Sequence, residues 1–181
     1  IAIKNLDKLK IHSKGIKNVF TNIDVEIEKS IIQKIRAKFP GHNIISEETK
    51  AQNSESADLE DSADSEYTWY IDPIDGTANY VHGDPNFCVS IALVKQDDIV
   101  NACVHIPMLG ETYYAEKGRG TELNGKKISV SKVAELKDSM IQLGISPLKD
   151  TIDNSLSLMR HFMLNADRAR DHGACALQLA F

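Results

Sequence analysis

No run of the 181-residue sequence approaches the about 18 consecutive apolar side chains that a membrane-crossing helix needs, and the start has no secretory-signal pattern. Basic residues are in the minority: 21 Lys and Arg against 26 Asp and Glu leave a formal net charge of −5. That balance argues against nonspecific binding to nucleic acid or to an anionic membrane surface. Cysteine is sparse. Cys88, Cys103 and Cys175 have no C-x-x-C spacing, and two of them fall in apolar, strand-like runs, which predicts reduced buried thiols in a cytoplasmic protein. The six histidines have no zinc-ligand spacing either. The length is that of one ordinary domain, or one and a part, with a core that needs no staples. Ile1 in place of an initiating methionine, and an uncapped apolar pattern running through Ala174, Leu177, Ala180 and Phe181, predict a domain over residues 1–181 that is incomplete at both ends.

What is present is concentrated between Tyr67 and Tyr80, which read Y-T-W-Y-I-D-P-I-D-G-T-A-N-Y. Tyr67 to Ile71 is aromatic and β-branched without charge, so it predicts an interior strand. Pro73 fixes its own φ and biases Asp72 to extended geometry, placing Asp72 and Asp75 on a stiff loop at the strand end where both face one small volume. Gly76 and Thr77 permit a tight turn into a short helix whose N–H groups suit a phosphate. Carboxylates beside an anion site imply cations between them, and hard oxygen donors suit Mg²⁺. The same residues also read as a plain turn, because Asp, Pro and Gly are what turns prefer.

Around this stretch, residues 1–8 predict the tail of a helix and 10–21 an extended loop or hairpin. Ile23, Ile27, Ile31, Ile35 and Phe39 recur at helical spacing up to Pro40-Gly41, with Asp24 at the start as an N-cap or first-turn acid. His42–Ser46 predicts a strand followed at once by Glu47 and Glu48, which repeats the layout of strand first and carboxylates after. Residues 49–66, rich in Ser, Ala, Asp and Glu, predict a mobile acidic surface loop. Strands follow at 87–95, 99–107, 111–116, 121–123 and 126–130, with Asn124-Gly125 as a hairpin turn, making an antiparallel sheet. Further on come a strand at 139–143, a helix at 155–164, a short strand at 169–171 and a helix from Gly173. This order predicts an α+β or multilayer α/β sandwich.

With T-N-I-D at 21–24, S-E-E at 46–48, W-Y-I-D-P-I-D-G-T-A-N-Y at 69–80, V-S-I-A-L-V after it and G-A-C-A-L-Q-L-A at 173–180, the chain resembles the inositol monophosphatase family of metal-dependent phosphatases. The resemblance runs in order over nearly all the sequence, with one long specific motif and several weaker ones. It implies a layered α-β-α-β-α fold, a homodimer, and lithium-sensitive, Mg²⁺-dependent hydrolysis of a small phosphorylated cyclitol or sugar. By the same resemblance, Glu47, Asp72, Asp75 and the carbonyl of Ile74 are metal ligands for two or three Mg²⁺ ions. Asp24 and Thr77 orient the attacking water, with Glu47 also in the catalytic set. Gly76 and Thr77 donate N–H groups to phosphate, and Gly173 and Cys175, with Asp75, face the substrate ring. Lys14 stands near the position of a family lysine beside the phosphate.

Departures from the family pattern shift these expectations. Asn18 stands where an Asp is frequent, which weakens the third metal site. Ser46 replaces a glycine, Asp84 follows Gly83 where an apolar residue is common, and Ala174 and Cys175 replace small residues beside the ring. The family's downstream W-D motif, whose Asp binds the second metal, does not occur in these 181 residues. Inositol monophosphate is the first-choice substrate, with fructose 1,6-bisphosphate, adenosine 3′,5′-bisphosphate and histidinol phosphate as alternatives within the family. The alternative of another class is a catalytically impaired binding or regulatory protein, since some bacterial relatives engage the transcription machinery.

Overall fold

A computed structural model describes residues 1–15, 18–48, 65–146 and 148–181, without the side chains of residues 6–8, 14, 15 and 18. The predicted loop at 49–66 therefore falls almost wholly outside the described residues, as do the side chains of Lys14 and Asn18. The chain opens with a kinked 3₁₀ segment, Ala2–Lys8, and an antiparallel pair, β1 (Ile11–Gly15) and β2 (Asn18–Thr21).

Helix α1 (Asn22–Lys38) begins at Thr21, whose hydroxyl accepts from the Ile23 and Asp24 amides while the Asp24 carboxylate accepts from the Thr21 amide, a reciprocal capping box. Its apolar stripe packs Ile35, with Ile31 and Ile32 beside it, against Ile44, Ile71, Trp69 and Ile91. Pro40 ends it, since a helix rarely continues into the residue before a proline.

A seven-stranded mixed sheet is the centre of the molecule: β3 (Asn43–Ser46), β4 (Tyr67–Asp75), β5 (Cys88–Lys95), β6 (Asp98–Ile106), β7 (Glu111–Glu116), β8 (Gly120–Leu123) and β9 (Lys126–Ile128), in that order. From β5 to β9 every pair is antiparallel, as the hairpin signals predict, and the sheet is mixed because β3 joins β4 in parallel. Asn124 and Gly125 both have positive φ, as the tightest hairpin turn requires.

Alternation along the strands divides the faces. Trp69, Ile71 and Ile91 face α1, while Cys88, Val104, Ile106 and Tyr113 face Leu177 of α4 (Cys175–Ala180) on the other side. Beyond α4 lies a parallel pair, β10 (Met140–Gln142) and β11 (Arg168–Arg170), with α3 (Ile152–Asn165) packed on β11. The order of layers is helix, sheet, helix, sheet, helix. Among the described residues no helix is long and apolar enough to cross a membrane.

Candidate active site

The acids cluster where β3 and β4 end, in a frame set by a break in β4. This strand runs through Asp72 and Pro73 to Asp75 instead of stopping at Ile71, so the predicted stiff loop is a strand with a bulge. Its pairing with β5 holds from Tyr67 to Asp72, lapses, and resumes at Asp75 opposite Cys88. Pro73, which has no N–H to give to a ladder, lies inside the lapse. The Ile74 amide turns back to donate to Asp72 Oδ1 at 3.1 Å. The bulge is what sets Asp72 and Asp75 on one side of the strand end.

Helix α2 (Thr77–Val81) starts directly after, with Gly76 as its N-cap at φ +91°. A Cβ on Gly76 would lie 2.9 Å from both the Ala174 Cβ and the Asn86 carbonyl oxygen, so a side chain is barred by conformation and by space. Thr77 Oγ1 lies 2.9 Å from the Ile74 carbonyl oxygen and 3.3 Å from Asp24 Oδ1. It carries one proton for the two, and the shorter contact favours the carbonyl.

Asp24 is fully buried. Its Oδ2 accepts from the Thr21 hydroxyl at 2.5 Å and the Thr21 amide at 2.9 Å. Burial raises its pKa and these bonds oppose the rise. Asp24 is thus both the first-turn acid of α1 and a neighbour of Thr77, two roles that sequence reasoning set against each other.

Asp72 and Asp75 differ in their surroundings. Desolvation, then the charges of Glu47 and Asp75, push Asp72 up to about 8. Asp75 is tied instead to the start of α4: its Oδ1 accepts from the Cys175 amide at 3.1 Å and its Oδ2 from the Ala176 amide at 2.6 Å. The buried Cys88 thiol adds a weak donor contact to Oδ2 at 3.6 Å, and burial, with Asp75 beside it, raises the thiol's own pKa. Glu47 is on the exposed side of the cluster. Ser46, Glu47 and Asp72 line a surface cavity of about 290 Å³ together with Tyr70, Ser90 and Ala92.

Three carboxylates close enough that Glu47 and Asp75 raise the pKa of Asp72, with no Lys or Arg among the described residues paired to Asp72 or Asp75, are the donor chemistry a hard divalent cation requires. The ligand shell is not closed in this conformation. Among the described residues no three His, Cys, Asp or Glu side chains stand in ion-holding geometry, and Asp75 points at the α4 amides.

Gly173 has φ +68° and lies against the Asn79 side chain. Asn79 Nδ2 is 2.6 Å from both the Asn86 and His172 carbonyl oxygens, so this one amide fastens the 172–176 segment over α2. Of the two cysteines predicted in apolar strands, Cys88 is buried and Cys103 half-buried, and Cys175 is exposed. Sequence reasoning overlooked Thr21, Asn79, Cys88 and Ala176. Only Thr21 had a local signal, the T-x-x-D spacing of a capping box.

The sequence model of the inositol monophosphatase family matches residues 2–181. The chain belongs to that family. It is 33% identical to the Nus factor SuhB of Pseudomonas aeruginosa over 99% of this chain and 65% of that protein. It is 35% identical to a fructose-1,6-bisphosphatase/inositol-1-monophosphatase of Thermotoga maritima over 92% of this chain and 59% of the relative. Among solved structures, the extragenic suppressor protein suhB of Bartonella henselae superimposes with a TM-score of 0.89 at 30% identity, covering 99% of this chain and 67% of that one. The chain thus spans about two thirds or less of the length of these relatives.

Proposed function

We propose that the protein hydrolyses a small phosphomonoester with Mg²⁺, inositol monophosphate first among the substrates, in line with its similarity to the fructose-1,6-bisphosphatase/inositol-1-monophosphatase of Thermotoga maritima. The observation that carries this reading is the meeting, at one bulged strand end, of Asp72, Asp75 and Glu47 with the Thr77–Asp24 contact. Glu47, Asp72, Asp75 and the Ile74 carbonyl would hold the metal, with Asn18 in place of a family Asp weakening a third ion. Bound Mg²⁺ supplies Lewis acidity and lowers the pKa of water.

The chain's own groups do the rest. With the Ile74 carbonyl given to the metal, the Thr77 hydroxyl would turn its proton to Asp24, held in place by Thr21, and its oxygen would accept a hydrogen bond from the attacking water and so orient it, the proton of the water passing through Thr77 to the Asp24 carboxylate. The Gly76 and Thr77 amides at the start of α2 face the phosphoryl oxygens. Gly173 and Cys175 line the ring side of the substrate, and the working form is a homodimer.

Asp75→Asn is expected to lower Mg²⁺-dependent phosphate release from inositol 1-phosphate by at least about a thousandfold, as for the loss of a ligand to the cation that stabilises the transition state. Near-normal turnover in that variant would defeat the assignment.

A second reading is favoured by the similarity to a relative named as a Nus factor: the chain acts as a regulatory binding protein. Normal phosphatase activity abolished by EDTA supports the first reading, and an inert but folded protein supports the second.

A further inference from the structure

We infer that Asp171 is a positioning residue for the substrate-facing segment Gly173–Ala176, an inference that rests on the phosphatase reading above. Its Oδ1 accepts from the Gly173 amide at 2.9 Å and from Gln178 Nε2 at 2.8 Å, and its Oδ2 accepts from the Ile145 amide at 3.0 Å. Gln178 Nε2 also donates to the Leu143 carbonyl at 3.2 Å, and the His172 ring pairs through Nδ1 with Gln142 Oε1 at 2.7 Å. One carboxylate therefore joins the turn before α4, the body of α4 and the strand end after β10.

The segment needs this support. Gly173 holds a left-handed φ, Ala174 is buried against Gly76, and the next two amides address Asp75. Apart from the Asp75 contacts, Asn79 holds the segment from the α2 side, and Asp171 holds it from the opposite side. Asp171 is itself exposed, and a solvated carboxylate that merely decorated the surface would not receive donors from three separate stretches of chain.

Loosening the segment adds disorder on the side that touches the non-reacting part of the substrate. Asp75 keeps its place in β4 and its Cys88 contact. The loss should therefore fall on binding more than on the chemical step.

The test uses the full-length protein with inositol 1-phosphate and Mg²⁺, together with iodoacetamide labelling of Cys175 followed by peptide mass spectrometry. Asp171→Ala should raise KM about tenfold with kcat within about threefold of wild type, and speed Cys175 labelling severalfold. Asp171→Asn, which keeps an acceptor for Gly173 and Gln178, should recover most of both. Unchanged KM and labelling in a folded Asp171→Ala protein overturn the inference, as does a fall in thermal stability alone. If Asp171→Ala does not fold, Gln178→Ala removes one of the three donors and is judged by the same criteria. If the wild type hydrolyses no phosphomonoester, the phosphatase reading fails by itself, and Cys175 labelling still decides whether Asp171 orders the segment.

Discussion

At the level of single residues, Asp72 is the titrating group that ties function to stability. In the unfolded chain its carboxyl ionises near 3.8, and in the folded one near 8, so between those values the native state holds a proton that the unfolded state has lost. The sign follows: this stabilisation is full below about pH 4, and it drains away as the pH rises toward about 8. Asp24, also raised by burial, acts in the same direction. The metal-free protein in EDTA should therefore melt several degrees lower at about pH 8 than at about pH 5, and Asp72→Asn should flatten most of that slope. Mg²⁺ added at the higher pH should restore the melting temperature, because it binds the charged form. Thermal scans at the two pH values decide it, and a wild-type slope that persists in the variant would remove Asp72 from the account. The carboxylates were legible in the sequence by type and spacing. Their different surroundings were not, because these depend on which oxygen meets which amide: Asp75 accepts from backbone amides 100 and 101 residues away, and no local pattern encodes that.

At the level of elements, the start of α1 was half legible. The isoleucine spacing and Asp24 placed it, while the contact between that first-turn acid and Thr77 depends on a partner 53 residues on. Because the capping box and the site share Asp24, Thr21→Ala should cost about 2 kcal/mol, a cap plus a donor to a buried carboxylate, and lower the melting temperature by roughly 4–8 °C. Thr21→Ser should recover most of it, and equal melting of the alanine and serine variants would refute the shared role. Pro73 by its chemistry points to a strand end, yet β4 continues to Asp75 because a lapse in pairing accommodates the missing N–H equally well. Gly76 is the other fixed point. Alanine there meets a left-handed φ and two atoms at 2.9 Å, one of them a backbone oxygen, so Gly76→Ala should destabilise by at least about 2 kcal/mol and separate α2 from Ala174. Denaturant unfolding measures this, and a loss below about 0.5 kcal/mol would show that the close approach relaxes freely.

At the level of the whole molecule, the acids are gathered at the ends of β3 and β4 and the starts of α1, α2 and α4, where unpaired N–H groups offset negative charge. This meeting ties the central sheet to α4, but it does not extend to α3. Ile71, Ile74, Cys88 and Ile106 of β4–β6 are among the most buried side chains, whereas α3 has no buried residue and leaves Leu156, Leu158, Met163 and Leu164 exposed. The strand that α3 packs on belongs to a pair of three-residue strands, too short to be stable without a neighbour. Native-state hydrogen exchange should therefore divide the chain into two units. Amides in β4–β6 should exchange only through global opening, and those of α3 through a sub-global opening at least about 2 kcal/mol cheaper, or roughly thirtyfold faster. The buried Cys88 on β5 gives an independent measure of the first unit: it should react with a thiol reagent at the rate of the slowest sheet amides. Equal protection of α3 and β5 would mean that the outer layer is held by contacts as strong as those of the sheet, and the division proposed from burial would have to be abandoned.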